Sequence, residues 1–449
     1  MSVALREKQI VEGSFTEPDA AGQDPVRPRR PGLRGLARHL AALGPFALIF
    51  ATYSLLIDHL PDQWFRQDSV RYLFAALAAL CVGMTLRWLL QRPSVQRVVD
   101  PPTAPGGTLP GQRRPDDAPA VVESAKQILD GTRSRILADL RTASGVNGEL
   151  YGWSQFIADK VPPSAIGTSY GLRIALALDI RHPRLDRRRL VENVVALQKP
   201  SKGWVARSQR DVARPEVTAW VLAALVRAGL DPDVREKNVE QLERMMSPGV
   251  DPIGYASVSV LTSVIAALAE VAPTSEKLEE LTALLVAGAI RQDAGPGPRQ
   301  LSWGRTLGDG ERSSVPHTAR AVVALHQAAA VIKQGRRQQL NEAVDLGIEW
   351  LTHNPDLAMK DEHLRRLAGD ARDIIYIGHF TPAWVARALM IGEVGDRLPS
   401  LRRAVRAVLK HQENGVWKWK EQQVDPTWMT YQGVLVVRDY SMLNLPWPP

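Results

Sequence analysis

Two histidines, His317 and His379, stand in comparable places, each just before a Thr or a Phe-Thr pair and an Ala-rich apolar run. Imidazole changes charge near neutral pH and is the commonest nitrogen donor to transition metals. The pair could therefore act as acid and base or, with Asp425, as a metal triad. Glu216 and Asp373 are the further candidates for catalysis. Arg312, Tyr376, Asp425 and Trp428, together with His317, are the candidates for holding a ligand. Each also has an ordinary reading: a histidine at a helix start is commonly just a satisfied polar group, and loops that mix Arg with carboxylates commonly pair among themselves. The expectation is therefore no resident metal and no cofactor, with the identity of any catalytic residue left open.

The elements that must position these residues repeat. After residue 120 a fixed composition returns about every 50 residues: a Gly/Trp turn, a polar loop, then an Ala/Leu-rich run. Gly152-Trp153 precedes YGLRIALAL, Gly203-Trp204 precedes AWVLAALVRAG, Trp303-Gly304 precedes ARAVVALHQAA, and Gly415 with Trp417 precedes YQGVLVV. A third, worn copy keeps only Gly254-Tyr255 before VLTSVIAALAEV, and a fifth has HFTPAWVARAL without a tryptophan turn. Apolar residues at helical spacing after each Thr predict one buried face, with the Thr or Ser at the loop end as helix cap. The intervening stretches, such as RRRLVENVVALQ and SLRRAVRAVLKHQ, are amphipathic as well, so each unit predicts a helix pair. A pair cannot bury its apolar face alone; six of them must stack into an open solenoid or a closed ring.

The strings QKPSKGW (Gln198 to Trp204) and QENGVW (Gln412 to Trp417), with WGRTLGDGERSSVPHTARAVVAL from Trp303, resemble the Gln-Trp repeats of squalene-hopene cyclases and protein prenyltransferase β-subunits. The resemblance spans residues 120–449 and implies an all-α (α/α)6 toroid of the terpenoid cyclase and prenyltransferase-like superfamily. It also implies that Trp153, Trp204, Trp303 and Trp417 are scaffolding that braces one unit against the next. The chemistry of those families does not follow. Neither an Asp-x-Asp-Asp nor an Asp-Asp-x-x-Asp string occurs, and the thioester Cys-Gly-Glu-Gln is missing. The prenyltransferase zinc set of Asp, Cys and His cannot form, because the single cysteine, Cys81, lies in an apolar run far from the repeats.

That run is one of two. Residues 40–57 carry no charge, and residues 72–90 carry only Arg87 near their end, where a long side chain can reach the headgroups. Arginines flank the outer ends of both, and the connecting loop holds Asp58, Asp62 and Asp68, so both termini are expected on the cytoplasmic side. The predicted organisation is a cytoplasmic tail (1–35), a transmembrane hairpin (36–92), a Pro/Gly-rich linker (93–119) and the toroid (120–449), in an inner or plasma membrane. The net charge of +8 is partly explained by the arginine cluster before the first run, so no specific nucleic-acid partner is expected. High Arg and Ala usage fits a GC-rich bacterial genome.

With every familiar catalytic string missing, the leading expectation is a membrane-anchored, non-catalytic binding or sensing protein. Its toroid would hold a hydrophobic small molecule, a peptide or a partner protein at the membrane face. The alternatives are an isoprenoid- or lipid-modifying enzyme with a non-standard site, and a membrane-perturbing effector of a bacterial conflict system.

Overall fold

The computed structural model describes residues 117–448, apart from 146–147, 200–202, 207–212, 293–298, 309–310, 355, 366–373 and 420–423. The expected tail, hairpin and all but the end of the linker lie outside the described residues, as do Asp373 and Cys81. Among the described residues no helix is long and apolar enough to cross a membrane.

The chain opens with α1 (Asp117–Asp139), a hairpin of β1 (Arg141–Gly145) and β2 (Gly148–Gly152), then α2 (Ala165–Ala177), α3 (Arg187–Ala196), α4 (Pro215–Arg227) and α5 (Pro232–Met245). A single turn, α6 (Pro252–Ala256), leads into α7 (Val258–Val271), followed by α8 (Glu276–Ala287), β3 (Ile290–Gln292), β4 (Gln300–Ser302), α9 (Val315–Ala329) and α10 (Gln334–His353). The last third holds β5 (Lys360–Arg365), β6 (Ile374–His379), α11 (Thr381–Leu389), α12 (Leu398–Leu409), β7 (Gln412–Glu413), β8 (Val416–Trp417) and α13 (Thr427–Met442).

The helices form a closed ring. Helix α2 packs on α4, α4 on α7, α7 on α9, α9 on α11, α11 on α13, and α13 back on α2. The remaining long helices are the outer layer: α5, α8, α10 and α12 each touch two consecutive inner helices, α1 touches α13 and α2, and α3 touches α2. The division follows from sequence. The inner α7 is buried almost throughout, whereas the outer α12 buries only Leu401, Ala404, Val405 and Val408, at the i, i+3, i+4, i+7 spacing of one face.

Ring closure is made by backbone. The segment after Trp153 clasps the start of α13: Ile157 N–H donates to the Asp425 carbonyl at 2.8 Å, and Thr427 N–H to the Gln155 carbonyl at 3.0 Å. The segment after Trp303 docks in the same way on α7, with Val258 N–H donating to the Arg305 carbonyl and Leu307 N–H to the Ala256 carbonyl. Each of these loops thus sits on the N-terminus of the preceding inner helix, which places those N-termini on one rim.

Every tryptophan turn has the same construction. Trp153, Trp204, Trp303 and Trp417 are fully buried. Their Nε1–H groups donate to carbonyls of the preceding outer helix, those of Ile136, Val194, Leu285 and Val408. Their backbone N–H groups donate to the hydroxyls of Thr168, Thr218, Thr318 and Thr430 in the first turns of the inner helices. One residue thus pins an outer helix to its inner partner, and a buried indole with its donor satisfied is the scaffolding expected of it.

Three expectations need correction. The ring is not purely helical: four two-stranded antiparallel sheets occupy the described connections, because a chain reversing between antiparallel helices pairs its two arms. The threonines are not caps, since they lie inside the first helical turn with their hydroxyls committed to the tryptophan amides; where a cap is made before α2 and α7 it comes from Ser164 and Ser257. The worn third copy is no tryptophan-like turn either, for Gly254-Tyr255 sits in the single turn α6, which Asp251 caps through the Gly254 amide.

Candidate functional site

All six inner helices contribute side chains to a central cavity of about 400 Å3. Residues facing it recur at helical spacing: Ile166, Tyr170 and Arg173 on α2, Trp220 and Arg227 on α4, Arg320, Val323 and Gln327 on α9. Strand β6 and the loop at Gln155 and Phe156 complete the wall.

The lining combines aromatic faces with guanidinium groups. Arg320 and Arg387 both lie against the Trp384 ring, their Cζ atoms 5.0 and 4.8 Å from its centroid, and Arg173 lies 5.6 Å from the Tyr431 ring. Tyr170 stacks at a tilt between Trp220 and Tyr431, at 6.3 and 5.7 Å. Four arginines line the space, whereas Glu270, the lining carboxylate, is ion-paired with Arg227. Arg320 donates to the Ser259 carbonyl at 3.0 Å, to Ser263 Oγ at 2.7 Å and to Thr262 Oγ1 at 3.3 Å, none of them a charge. Burial pushes its pKa down to about 10 and lowers that of Arg387, while Tyr170 is pushed up to about 12. At neutral pH these guanidiniums stay charged, so the cavity concentrates positive charge.

Beside the cavity the structure brings His317 and His379 together on a carboxylate that sequence reasoning missed, Glu362. The rings meet edge to face with centroids 4.9 Å apart, and all three residues are buried. Glu362 Oε2 lies 3.2 Å from His317 Nε2, 3.1 Å from His379 Nε2, and accepts from Ser259 Oγ at 2.7 Å. Ser314 Oγ holds His317 Nδ1 at 2.8 Å. Burial opposes ionisation of Glu362, but the hydrogen bonds from His317, His379 and Ser259 outweigh it and hold the carboxyl well below the usual carboxylate range. Burial pushes the His379 imidazole down to about 4 despite the attraction of Glu362, so it is neutral at physiological pH. Ser259 joins the cluster to the cavity, its hydroxyl on Glu362 and its carbonyl on Arg320.

The hairpin β5–β6 delivers two of these three groups. Its register pairs Glu362 with Ile377 and Lys360 with His379. Strand alternation turns Glu362, Leu364, Ile375, Ile377 and His379 inward, leaving His363 and Tyr376 outside, edge to face at 4.5 Å. That alternation, legible in KDEHLR and IIYIGH, is the signal that could have found Glu362.

The other sequence candidates disperse. Glu216 is wholly buried in the first turn of α4, and Arg312 is exposed. Neither lines the central cavity or the space beside the histidines. Asp425 lends its backbone carbonyl to the ring clasp and is not the third member of the histidine cluster. Trp428 does line the central cavity, packed edge on against Trp419, and Tyr376 reaches its rim although 63% exposed. Sequence reasoning missed the cavity arginines. Their signal is an Arg inside otherwise apolar inner helices, as in TARAVVAL around Arg320.

No protein family and no curated protein matches the chain. Among solved structures it is similar to a family 76 glycoside hydrolase from a bovine Bacteroides thetaiotaomicron strain, at 10% identity and a TM-score of 0.40, over 72% of this chain and 77% of that one. It is also similar to an unsaturated glucuronyl hydrolase from Streptococcus agalactiae, at 10% identity and a TM-score of 0.38, over 72% of this chain and 91% of that one. Likenesses this remote bear on neither activity nor ligand, and the closed ring rests on which helices touch.

Proposed function

We propose that the ring is a receptor for a small anionic amphiphile held in the central cavity. Its carboxylate or phosphate would sit on Arg173, Arg320 and Arg387, and its flat or apolar body against Tyr170, Trp220, Trp384 and Tyr431. One observation carries this reading: among the described residues, four arginines share the cavity with a single carboxylate, itself ion-paired. Desolvated cations are costly unless a counter-charge meets them; among the described residues, Glu270, Glu362 and Asp439 act on Arg173, Arg320 and Arg387 without an ion pair to any of the three, and a ligand anion in the cavity would meet them directly. Guanidinium forks match carboxylate and phosphate oxygens, and a volume of about 400 Å3 suits a ligand of a few rings or an acyl chain.

The Gln-Trp turns support kinship with the terpenoid cyclase and prenyltransferase rings, and an isoprenoid phosphate is one member of this ligand class. The two apolar runs, 40–57 and 72–90, support a hairpin that keeps the ring at the cytoplasmic membrane face, where such a ligand is concentrated. Binding without chemistry is the preferred form, because Glu270 is neutralised by Arg227. An isoprenoid- or lipid-modifying enzyme is the second reading, favoured by the His317–Glu362–His379 cluster joined to the cavity through Ser259. Calorimetric titration with isoprenyl phosphates, fatty acids and the matching neutral alcohols tests the proposal. Anions should bind, alcohols should not, and Arg387→Met should weaken binding at least tenfold while the exposed Arg188→Met leaves it unchanged. Equal binding of anion and alcohol would refute it. Product formation lost in Glu362→Gln would decide for the enzyme.

A further inference from the structure

The geometry points to a divalent transition-metal site, of which Zn2+ is the expected occupant, made by His317 Nε2, His379 Nε2 and Glu362 Oε2. It is distinct from the anion-binding cavity and does not rest on that reading.

The three donor atoms lie within 4.8 Å of one another, on three buried side chains. Both imidazole nitrogens stand 3.1–3.2 Å from the same carboxylate oxygen. A charge-assisted N–H···O− bond is normally about 2.7–2.9 Å. Donors sharing a tetrahedral cation at about 2.0–2.2 Å stand roughly 3.3 Å apart, so the observed spacing is nearer that of co-ligands. Hydrogen bonding is also lopsided. Among the described residues, Oε2 is crowded by two imidazoles and the Ser259 hydroxyl, while buried Glu362 Oε1 and His379 Nδ1 have no hydrogen-bond partner. Such orphans are uncommon in a purely structural network.

The surroundings fit. Ser314 Oγ on His317 Nδ1 fixes the ring so that Nε2 faces the centre, the usual outer support of a metal-bound imidazole. Two histidines and one glutamate are a nitrogen and oxygen set that suits zinc and leaves one position open. That position faces a second cavity of about 460 Å3 lined by all three ligands, with Arg305, Lys360 and Asp361 beside them. Cations on its rim suit an anionic fourth ligand.

The test uses the full-length chain, stripped with chelator and titrated with Zn2+ and, separately, Co2+. We expect one equivalent of zinc per chain by elemental analysis and a Co2+ visible band typical of four or five coordination. Zinc should also raise the Tm. His317→Ala and Glu362→Gln should each lose the band and weaken zinc binding at least tenfold, whereas His353→Ala, exposed at the end of α10, should keep both. Folded wild-type protein that gives no Co2+ band, or takes up zinc no better than Glu362→Gln, overturns the proposal. Because the wild-type spectrum is decisive alone, a variant that fails to fold does not shield it.

Discussion

Replacing Gly433 by alanine should reverse the usual sign of that substitution. Within a helix, Gly→Ala ordinarily stabilises by about 1 kcal/mol, because alanine loses less backbone freedom on folding. Gly433 lies inside α13 beneath Trp417, and an added Cβ would stand 2.2 Å from indole Cδ2 and Cε2. Carbon atoms in contact normally keep about 3.5–4.0 Å, so the ring must shift by more than an ångström in a buried seat. Overpacking of this kind costs about 1–3 kcal/mol. The shift also pulls Nε1 from the Val408 carbonyl, 3.1 Å away, and a buried donor left unpaired adds about 1–3 kcal/mol. Subtracting the propensity gain leaves a net loss of about 1–5 kcal/mol. Urea unfolding followed by circular dichroism reads this as a lower midpoint at unchanged slope. Gly335→Ala, near the start of α10 with nothing within 4 Å, is the control and should be neutral or slightly stabilising. Combining Gly433→Ala with Trp417→Leu should cost less than the sum of the two, since the smaller side chain makes room. A Gly433→Ala protein as stable as wild type, with the control behaving normally, would refute the pinning role given to the tryptophan turns.

Thr318→Val should destabilise by about 1 kcal/mol, since it strands the Trp303 amide that the hydroxyl accepts at 2.9 Å; equal unfolding midpoints would count against it. Burial pushes the Asp139 carboxyl up, against the Ala158 amide and Arg141. A raised folded pKa means the native state holds its proton longer than the unfolded chain, so Asp139 lowers stability as pH rises through that window. The difference in stability between Asp139→Asn and wild type should therefore move in favour of the variant from pH 4 to pH 7, and a pH-independent difference would sink the assignment. Full-length protein should pellet with membranes and resist carbonate, whereas release by carbonate would argue against the hairpin.

Helical periodicity made the ring legible because each inner and outer helix carries its own apolar stripe, and the paired spacing of Trp153 with Thr168 and Trp303 with Thr318 repeats a local contact. The two shortest hairpins are not legible in the sequence. The pairing in β3–β4 covers three residues and that in β7–β8 two, too short for alternation to stand out. The site was half legible. His317 and His379 share a position relative to their helices, so comparison of the repeats brought them together. Glu362 comes from the one hairpin that replaces a tryptophan turn, and no other repeat has a counterpart to compare. The arginines were overlooked because an arginine in an amphipathic helix normally faces water, and only ring closure turns Arg173, Arg320 and Arg387 toward a shared interior.

The clasp between Gln155–Ile157 and Asp425–Thr427 joins segments about 270 residues apart, as the 273-position separation of Thr427 and Ser154 shows. The barrel therefore cannot shut until α13 has been synthesised. Until then α2 and α11 lack the helix that packs on both of them, and contacts so distant in sequence form slowly. A nascent chain stalled before residue 427 should bind chaperones and be cut by proteases along α2, and completion of the last helix should end both.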